Sequence, residues 1–438
     1  MYNNFLKKNT SLFEFIVTGI STLLNSILSF VVGVIIARNL QPDMYGFFAS
    51  TLATVTLFFS FSHLGIAQFW LKKAGKFGWR VRNLFHPSIL IVLKSTSLSI
   101  LILILIGTLV SHNNSERFVT ILLSFHLIGL TTVELLVAKY QLEQKYDRLA
   151  LFQLVPNLLR FLFILVIFYV FNHISIFTIA LIYFIVSIIS PIIFLKDFND
   201  LSHGKIDFKN HYDKNESNLK LSKKQIINSS IPFALAGFFH FIYYQSDIIL
   251  VKYLSSNSQA GYYSSAVLIF SSIMLIPTVI YQKYLMPKIH FWFNYDKSFF
   301  VNFFKKFSLY MFIIGTMFFL LVYFNAEKII LFVFGKNYFD SIHLIKLLSI
   351  SLPISFLSAN LGATLVTGET IRKKARIMGF IAITNILLNL ILIPFFDAQG
   401  AAYATLICNV LLFIIYFFES NKLMSIEKSN GKSQYNLK

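Results

Sequence analysis

The sequence contains a single cysteine, Cys408, among 438 residues. One cysteine cannot form a disulfide within the chain, and it excludes a zinc site built from several cysteines. The sequence also lacks a P-loop, a GxGxxG turn after a strand and the nucleophile elbow of serine hydrolases. No group of His, Cys, Asp and Glu has the spacing of a metal site. We therefore predict that the chain is not an enzyme and that it needs no catalytic cofactor.

Charged residues are also scarce: they make up 13% of the chain, whereas 56% of the residues are hydrophobic. A soluble fold of this size does not need so much apolar surface, but bilayer-spanning helices of about 20 apolar residues do. Continuous apolar runs, such as residues 98–109 and 158–171, favour helices over the alternating strands of a barrel. The predicted fold class is therefore an all-α membrane protein.

The apolar runs divide the chain into about twelve predicted transmembrane helices. They cover residues 12–37, 47–69, 88–111, 118–138, 149–171, 174–195, 226–251, 262–286, 307–324, 342–366, 377–396 and 399–420. The first run is too long for a signal peptide, so we expect it to remain as the first span.

Positive charge is plentiful, with a net charge of +19, and it lies between the apolar runs. If the N-terminus is cytoplasmic, roughly thirty Lys and Arg residues fall on the cytoplasmic side and about five on the outer side. This bias predicts a multi-pass protein of the bacterial inner membrane with both termini in the cytoplasm. It also removes the main reason to expect nucleic acid as a partner, because the charge is explained by membrane orientation and anionic lipid.

A weak internal repeat indicates two halves. Residues 45–51 (YGFFAST) align with residues 260–266 (AGYYSSA), and both lie where the first span of a half meets the second. Six spans per half give both halves the same orientation, which predicts two parallel six-helix lobes around a central cavity. The predicted divisions are an N-terminal lobe (1–198), a cytoplasmic linker (199–225), a C-terminal lobe (226–420) and a polar cytoplasmic tail (421–438).

Short motifs along the chain resemble those of a known family. They are ARNLQPDMYG at 37–46, LGI at 64–66, Asp247 followed by AGYY at 260–263, FGKNY at 334–338 and QGAA at 399–402. In this order and spacing they resemble the polysaccharide transporters of the multidrug/oligosaccharidyl-lipid/polysaccharide flippase superfamily, specifically O-antigen flippases of the Wzx type.

The resemblance implies export of an undecaprenyl-pyrophosphate-linked oligosaccharide from the cytoplasmic to the outer leaflet by alternating access. The implied partners are this lipid-linked oligosaccharide and membrane lipids. A polysaccharide polymerase and a chain-length regulator are further candidate partners. The motifs do not report which sugar is carried.

Candidate substrate-binding residues are polar groups inside predicted spans. Gln153, Asn157 and Arg160 share one helix face with Pro156, because positions i, i+4 and i+7 lie on one side of a helix. Arginine suits a phosphate group, although Arg160 in a structural pair is the open alternative. Three further candidates are Asn25, Lys94 and Lys346. Asn25 could instead bond a neighbouring helix. Lys94 and Lys346 lie near span ends, where lysine can snorkel to water.

Candidate ion-coupling residues lie in the seventh and eleventh spans. Asp247 and His240 share one face of the seventh span, and Asn385 and Asn389 are four residues apart in the eleventh. One carboxylate with carbonyl oxygens suits Na⁺, and a histidine or carboxylate suits H⁺. This hypothesis requires that the two spans touch. The alternative for Asp247 is a pair with a basic residue at the cavity mouth, and the alternative for His240 is a hydrogen-bonded core histidine.

Three competing functions stay open. A cation-coupled multidrug exporter of the same superfamily should favour an acidic cavity, which Arg160 and Lys94 oppose. A membrane polysaccharide polymerase or ligase needs a sizeable outer loop, but the longest predicted one, 325–341, is short. A membrane scaffold would need no charges on aligned faces inside the bilayer.

Overall fold

A computed structural model describes residues 9–111, 113–171, 174–208, 219–285, 289, 292–293, 297–365 and 370–435. Within these ranges every regular element is a helix, as expected where backbone groups in a bilayer must bond within their own segment. Parts of the predicted linker (209–218) and tail (436–438) lie outside the described residues.

Within the described ranges the chain forms fourteen α-helices, eight of them in its first half. These eight are α1 (Asn9–His63), α2 (Ile66–Phe77), α3 (Phe85–Val110), α4 (Asn114–Ser124), α5 (His126–Glu143), α6 (Tyr146–Phe171), α7 (Ile176–Ile193) and α8 (Leu195–Ser202). A 3₁₀ helix over Gly78–Leu84 connects α2 to α3.

The second half forms six α-helices, two of them short. They are α9 (Lys223–Leu254), α10 (Asn257–Thr278), α11 (Lys297–Val333), α12 (Ser341–Ile350), α13 (Leu352–Thr364) and α14 (Thr370–Tyr435). A π-helical segment, Val279–Leu285, continues α10, and a 3₁₀ turn, Lys336–Tyr338, precedes α12.

Among the described residues, eight helical stretches are long and apolar enough to cross a bilayer, and the pair α12–α13, bent by 46°, makes a ninth. Two of these stretches hold several predicted spans: Gly19–Val110 holds three and Lys373–Met424 holds two. The twelve predicted spans therefore all fall within these stretches, to within a few residues. The predicted all-α membrane fold with roughly twelve spans is confirmed.

Two of the long helices are interrupted within their length. Gln41 leaves the helical region (φ 60°, ψ 165°) inside α1, at the position where the ring of Pro42 disfavours a helical residue before it. Asp397 also leaves the helical region inside α14 (φ 50°, ψ −136°), although no proline follows it. Each interruption lies between two predicted spans. The helices α1 and α14 therefore each contain two predicted membrane crossings.

By its contacts the chain divides into two compact units. The first unit holds the residues up to Leu40 and Ser50–Gln245; the second holds Gln41–Ala49 and the residues from Ser246 onward. The short segment Gln41–Ala49 thus packs with the second unit, although it lies between two spans of the first half.

The two glycines of the internal repeat explain how this segment packs. A Cβ atom on Gly46 would lie 1.8 Å from the carbonyl oxygen of Asn257, and one on Gly261 would lie 1.9 Å from the carbonyl oxygen of Pro42. Real side-chain atoms do not approach so closely, so only glycine permits this backbone-to-backbone contact. Asp43 adds a hydrogen bond from the Ser258 hydroxyl at 3.3 Å.

The chain after the sixth span also packs in the first unit. Leu201, Ile206 and Phe208 are buried in a hydrophobic cluster that contains Trp70 and Tyr140. Arg82 donates a hydrogen bond to the carbonyl oxygen of Ile206 at 2.7 Å. The start of the predicted linker is therefore a packed segment as far as residue 208.

Candidate functional site: two polar clusters inside the helical units

A cluster of polar side chains surrounds Arg160 in the first unit. Arg160 donates through Nη1 to Oδ1 of Asn157 at 2.8 Å. Asn157 donates through Nδ2 to Oδ1 of Asn25 at 2.8 Å. The stripe on α6 and the polar face of α1 therefore meet, and the amides extend a chain of hydrogen bonds from the guanidinium to a second helix. We call this group, with His126, Tyr183 and Ser187, the Arg160 cluster.

His126 at the start of α5 belongs to this cluster, although the sequence analysis did not select it. Its ring nitrogens lie 3.3 and 3.4 Å from Nη2 of Arg160, and Nδ1 lies 2.8 Å from the Ser187 hydroxyl. The guanidinium carbon of Arg160 stands 4.5 Å from the centre of the Tyr183 ring, a cation–π contact. A histidine within an apolar run was a signal of the same kind as Arg160 and could have been used.

Arg160 has no carboxylate partner among the described residues. Its hydrogen bonds go to Asn157 and the His126 ring, and its buried Nε atom has no hydrogen-bond partner within the described ranges. A structural ion pair, the alternative raised above, is thus not found in the part of the chain that the structure describes. The Arg160 side chain is partly buried, and its described partners are amide and imidazole dipoles and a ring face, an arrangement that favours an incoming anion.

The remaining candidates for substrate contact lie outside this hydrogen-bonded group. Gln153 is partly buried on α6, one turn before Asn157. Lys94 on α3 is exposed. Lys346 on α12 is partly buried, and its Nζ atom stands 5.7 Å from the centre of the Tyr323 ring. Their substrate roles stay predictions.

A second cluster surrounds Asp247 on α9, in the second unit. The carboxylate is 4% exposed and accepts three hydrogen bonds: from the Tyr263 hydroxyl at 2.7 Å, from the Thr405 hydroxyl at 2.5 Å and from Nδ2 of Asn389 at 2.6 Å. Asn389 also donates to Oδ1 of Asn385 at 3.2 Å. The structure thus brings together Asp247, Asn385 and Asn389, and we call this group, with Tyr263 and Thr405, the Asp247 cluster.

One acceptor of this cluster lacks a partner within the described ranges: Oδ1 of Asn389 is buried without a hydrogen bond. Leaving a buried polar atom unpaired costs about 1–3 kcal/mol, so the cluster has capacity for another ligand. A carboxylate, two amide oxygens and two hydroxyl oxygens are the hard oxygen ligands that Na⁺ also prefers, and the carboxylate alone can bind H⁺. The residues fit either ion.

His240 is placed differently from the other three ion-coupling candidates. It is exposed, it belongs to the first unit, whereas Asp247 belongs to the second, and its ring packs 4.7 Å from that of Tyr244. The hydrogen bonds to Asp247 come from other residues. A role for His240 in ion coupling stays a prediction.

The sequence analysis also missed Tyr263 and Thr405, for a simple reason. A tyrosine or threonine in an apolar helix has no distinctive sequence signal, because both residues bury their apolar parts readily. The motif AGYY at 260–263 marked the position of Tyr263 but not its chemistry.

A third polar group lies outside the bilayer-spanning part of the first unit. It lines a cavity of about 720 Å³ and is dominated by ion pairs. Asp197 accepts from the Tyr140 hydroxyl and lies 3.6 Å from Nζ of the buried Lys139. Lys145 lies 3.0 Å from Glu143, and this hydrogen bond raises the pKa of the Lys145 ammonium above its usual value. The acids and bases of this group pair with each other. Because these pairs join α5 to the segment after α7, the group holds that segment in place.

Comparisons with known proteins agree with this architecture. The family model described as "Polysaccharide biosynthesis protein" matches residues 11–290, which is more than half of the chain. No curated protein sequence matches the chain at a significant level.

Solved structures share the fold. An inward-facing multidrug resistance MATE family transporter of the MOP superfamily has a TM-score of 0.70 at 11% identity, over 92% of this chain and 96% of that one. The lipid II flippase MurJ, in an inward closed conformation, has a TM-score of 0.68 at 16% identity, over 93% of this chain and 89% of the other. At such low identities the similarity establishes the fold and leaves the substrate open.

Proposed function

We propose, from the premise that this chain belongs to the polysaccharide biosynthesis protein family, that it is a flippase for an undecaprenyl-pyrophosphate-linked oligosaccharide. In this proposal the repeat unit of an O-antigen or a similar polysaccharide moves from the cytoplasmic to the outer leaflet of the bacterial inner membrane. Both chain termini are cytoplasmic, as the distribution of Lys and Arg predicts.

The observation that supports this proposal most is the Arg160 cluster. A flippase breaks no covalent bond; it must lower the cost of carrying a pyrophosphate and a sugar through hydrocarbon. Moving an unpaired ion into such a medium costs on the order of 20 kcal/mol in the idealised limit. A partly buried guanidinium without a described carboxylate partner offsets part of that cost for an anion. The amides of Asn157 and Asn25 supply donors and acceptors for adjacent sugar hydroxyls.

The same observation weighs against a multidrug exporter of cationic compounds, even though a MATE transporter shares the fold. A cationic drug near Arg160 would meet repulsion rather than attraction, because the described part of the cluster holds no acid. A polymerase or ligase would need a sizeable outer loop, and the longest predicted outer loop, residues 325–341, is short.

The energy source in this proposal is an ion gradient acting at the Asp247 cluster. Na⁺ binding would use the oxygen of Asp247 together with Oδ1 of Asn385 and of Asn389, after the Asn389 amide turns its oxygen toward the carboxylate. Protonation of Asp247 would allow the same turn, because a protonated carboxyl can donate to that oxygen. The unpaired Oδ1 atom of Asn389 is what suggests this second orientation.

Removing the gene from its host tests the proposed function. We expect surface polysaccharide to disappear and lipid-linked repeat units to accumulate on the cytoplasmic leaflet, because the sugar units are still made but cannot cross. The leaflet is assigned by treating inside-out and right-side-out vesicles with a glycan-degrading enzyme. Normal surface polysaccharide together with increased sensitivity to cationic drugs would instead support the multidrug exporter.

A further inference from the structure

We propose that His126 forms the second half of the Arg160 anion site and takes up a proton when a diphosphate group binds there. This inference rests on the proposed function, since it assigns a diphosphate to the Arg160 cluster. It adds a residue that is charged only when substrate is bound. It also couples substrate binding to proton uptake at a site separate from the Asp247 cluster.

The geometry places the imidazole where an anion bound to Arg160 would also meet it. The ring is 3% exposed, and both of its nitrogens lie within 3.4 Å of the same guanidinium nitrogen, Nη2 of Arg160. Nearly equal distances show that the guanidinium lies against the side of the ring rather than along one lone pair. The guanidinium and the imidazole therefore lie side by side without a well-aligned hydrogen bond between them. A diphosphate oxygen that accepted a hydrogen bond from each group would replace this poor contact.

The surroundings of the ring favour its neutral form while the site is free. The titratable groups that contact it are Arg160 on α6, through Nη2, and Tyr183 on α7, whose ring is 5.3 Å away. Among the described residues, the other helices packed on α5 bring no charged side chain to it. Glu134 is eight residues further along α5, about 12 Å of helix rise, and it accepts a hydrogen bond from Gln68. An imidazolium would thus face a cation without a compensating acid.

A bound diphosphate reverses this balance. It brings at least two negative charges next to the guanidinium, so the second cation becomes favourable and the imidazolium can donate a charge-assisted hydrogen bond. Ser187 is suited to both states, because its hydroxyl can donate to Nδ1 of the neutral ring or accept from Nδ1–H of the protonated one. No backbone movement is needed for the exchange.

The competing interpretation is that His126 is a hydrogen-bonded core residue that only packs Arg160 against Tyr183. Both interpretations predict weaker substrate binding in a His126 variant. They differ in proton uptake, because a packing residue does not change its protonation when the anion arrives.

Calorimetry on the purified full-length protein tests the inference. Farnesyl diphosphate, a soluble prenyl diphosphate, is titrated at pH 7.5 in two buffers with different heats of ionisation, which gives the number of protons taken up on binding. We expect the wild type to take up about one proton more than His126→Gln. His126→Gln should bind about tenfold more weakly. The exposed histidine variant His203→Gln, at a residue outside both polar clusters, is the matched control and should behave like the wild type.

The outcomes separate the two proposals. Equal proton uptake by the wild type and His126→Gln, with Arg160-dependent binding of the probe, would overturn the role of His126 and leave the flippase proposal intact. Binding that is absent, or that Arg160→Ala does not weaken, would overturn the diphosphate site itself and this inference with it. If His126→Gln does not fold, as judged by thermal unfolding, the wild type alone decides. A proton uptake by the wild type that is no greater than the titration of the free farnesyl diphosphate accounts for would refute the inference.

Discussion

We expect the Arg160→Ala variant to lose surface polysaccharide while the protein stays in the membrane at normal abundance. The guanidinium supplies charge-assisted hydrogen bonds to the pyrophosphate, each contributing about 1.5–3 kcal/mol. Losing two of them corresponds to at least a hundredfold decrease in transport, at about 1.4 kcal/mol per factor of ten. Because Arg160 has no described carboxylate partner, its removal strands no buried acid, and the folded protein should persist.

Two further variants sharpen this prediction. Arg160→Lys keeps the charge but loses the planar fork of donors, so it should restore only part of the transport. Arg148→Ala is the matched control, because Arg148 lies on the same helix but is exposed and contacts Asp197. Polysaccharide export and abundance that are both normal in Arg160→Ala would contradict the substrate role. A loss of the protein from the membrane would instead indicate a structural pair outside the described residues.

We expect the Asp247→Asn variant to lose the dependence of transport on an ion gradient. An amide has nearly the same size as the carboxylate but neither binds a proton near neutral pH nor supplies a full negative charge to Na⁺. Transport should fall at least tenfold when a gradient is imposed, and the residual rate should be the same with and without it. The measurement is transport in vesicles with imposed Na⁺ or H⁺ gradients, with protein abundance determined alongside.

The matched control for this prediction is Asp397→Asn. Asp397 belongs to the same unit and also accepts a serine hydrogen bond, from Ser255 at 2.6 Å, but its side chain is exposed. It should keep the gradient dependence of the wild type. If Asp247→Asn retained that dependence, Asp247 would not be the coupling site, and the capacity of its cluster for another ligand would need a different explanation.

The spans could be predicted from the sequence because hydropathy alone determines them. A bilayer demands about 20 apolar residues per crossing, and Pro42 marks an interruption through its effect on Gln41. The packing of Gln41–Ala49 with the second unit could not be predicted, because backbone approach at Gly46 and Gly261 depends on how distant helices cross. The repeat identified the glycines but not the contact.

The polar clusters were predictable in part. Positions four residues apart identified Asn385 with Asn389 as one face, and a rare carboxylate identified Asp247. Contacts between helices are a tertiary property, so neither the meeting of these faces nor the participation of Tyr263 could be read from the sequence. His240 shares a helix face with Asp247, but seven residues along a helix cover about 10 Å and its side chain is exposed, so its role stays a prediction.

Transport by the purified protein in liposomes tests the central claim most directly. Liposomes are prepared with a fluorescent undecaprenyl-pyrophosphate oligosaccharide, and a membrane-impermeant glycosidase reports the fraction of headgroups on the outside. With the wild-type protein and an ion gradient, we predict that all headgroups in protein-containing vesicles become accessible, whereas vesicles with Arg160→Ala behave like protein-free ones. A wild-type protein that leaves the inner headgroups protected, but accumulates a cationic dye under the same gradient, would contradict the account.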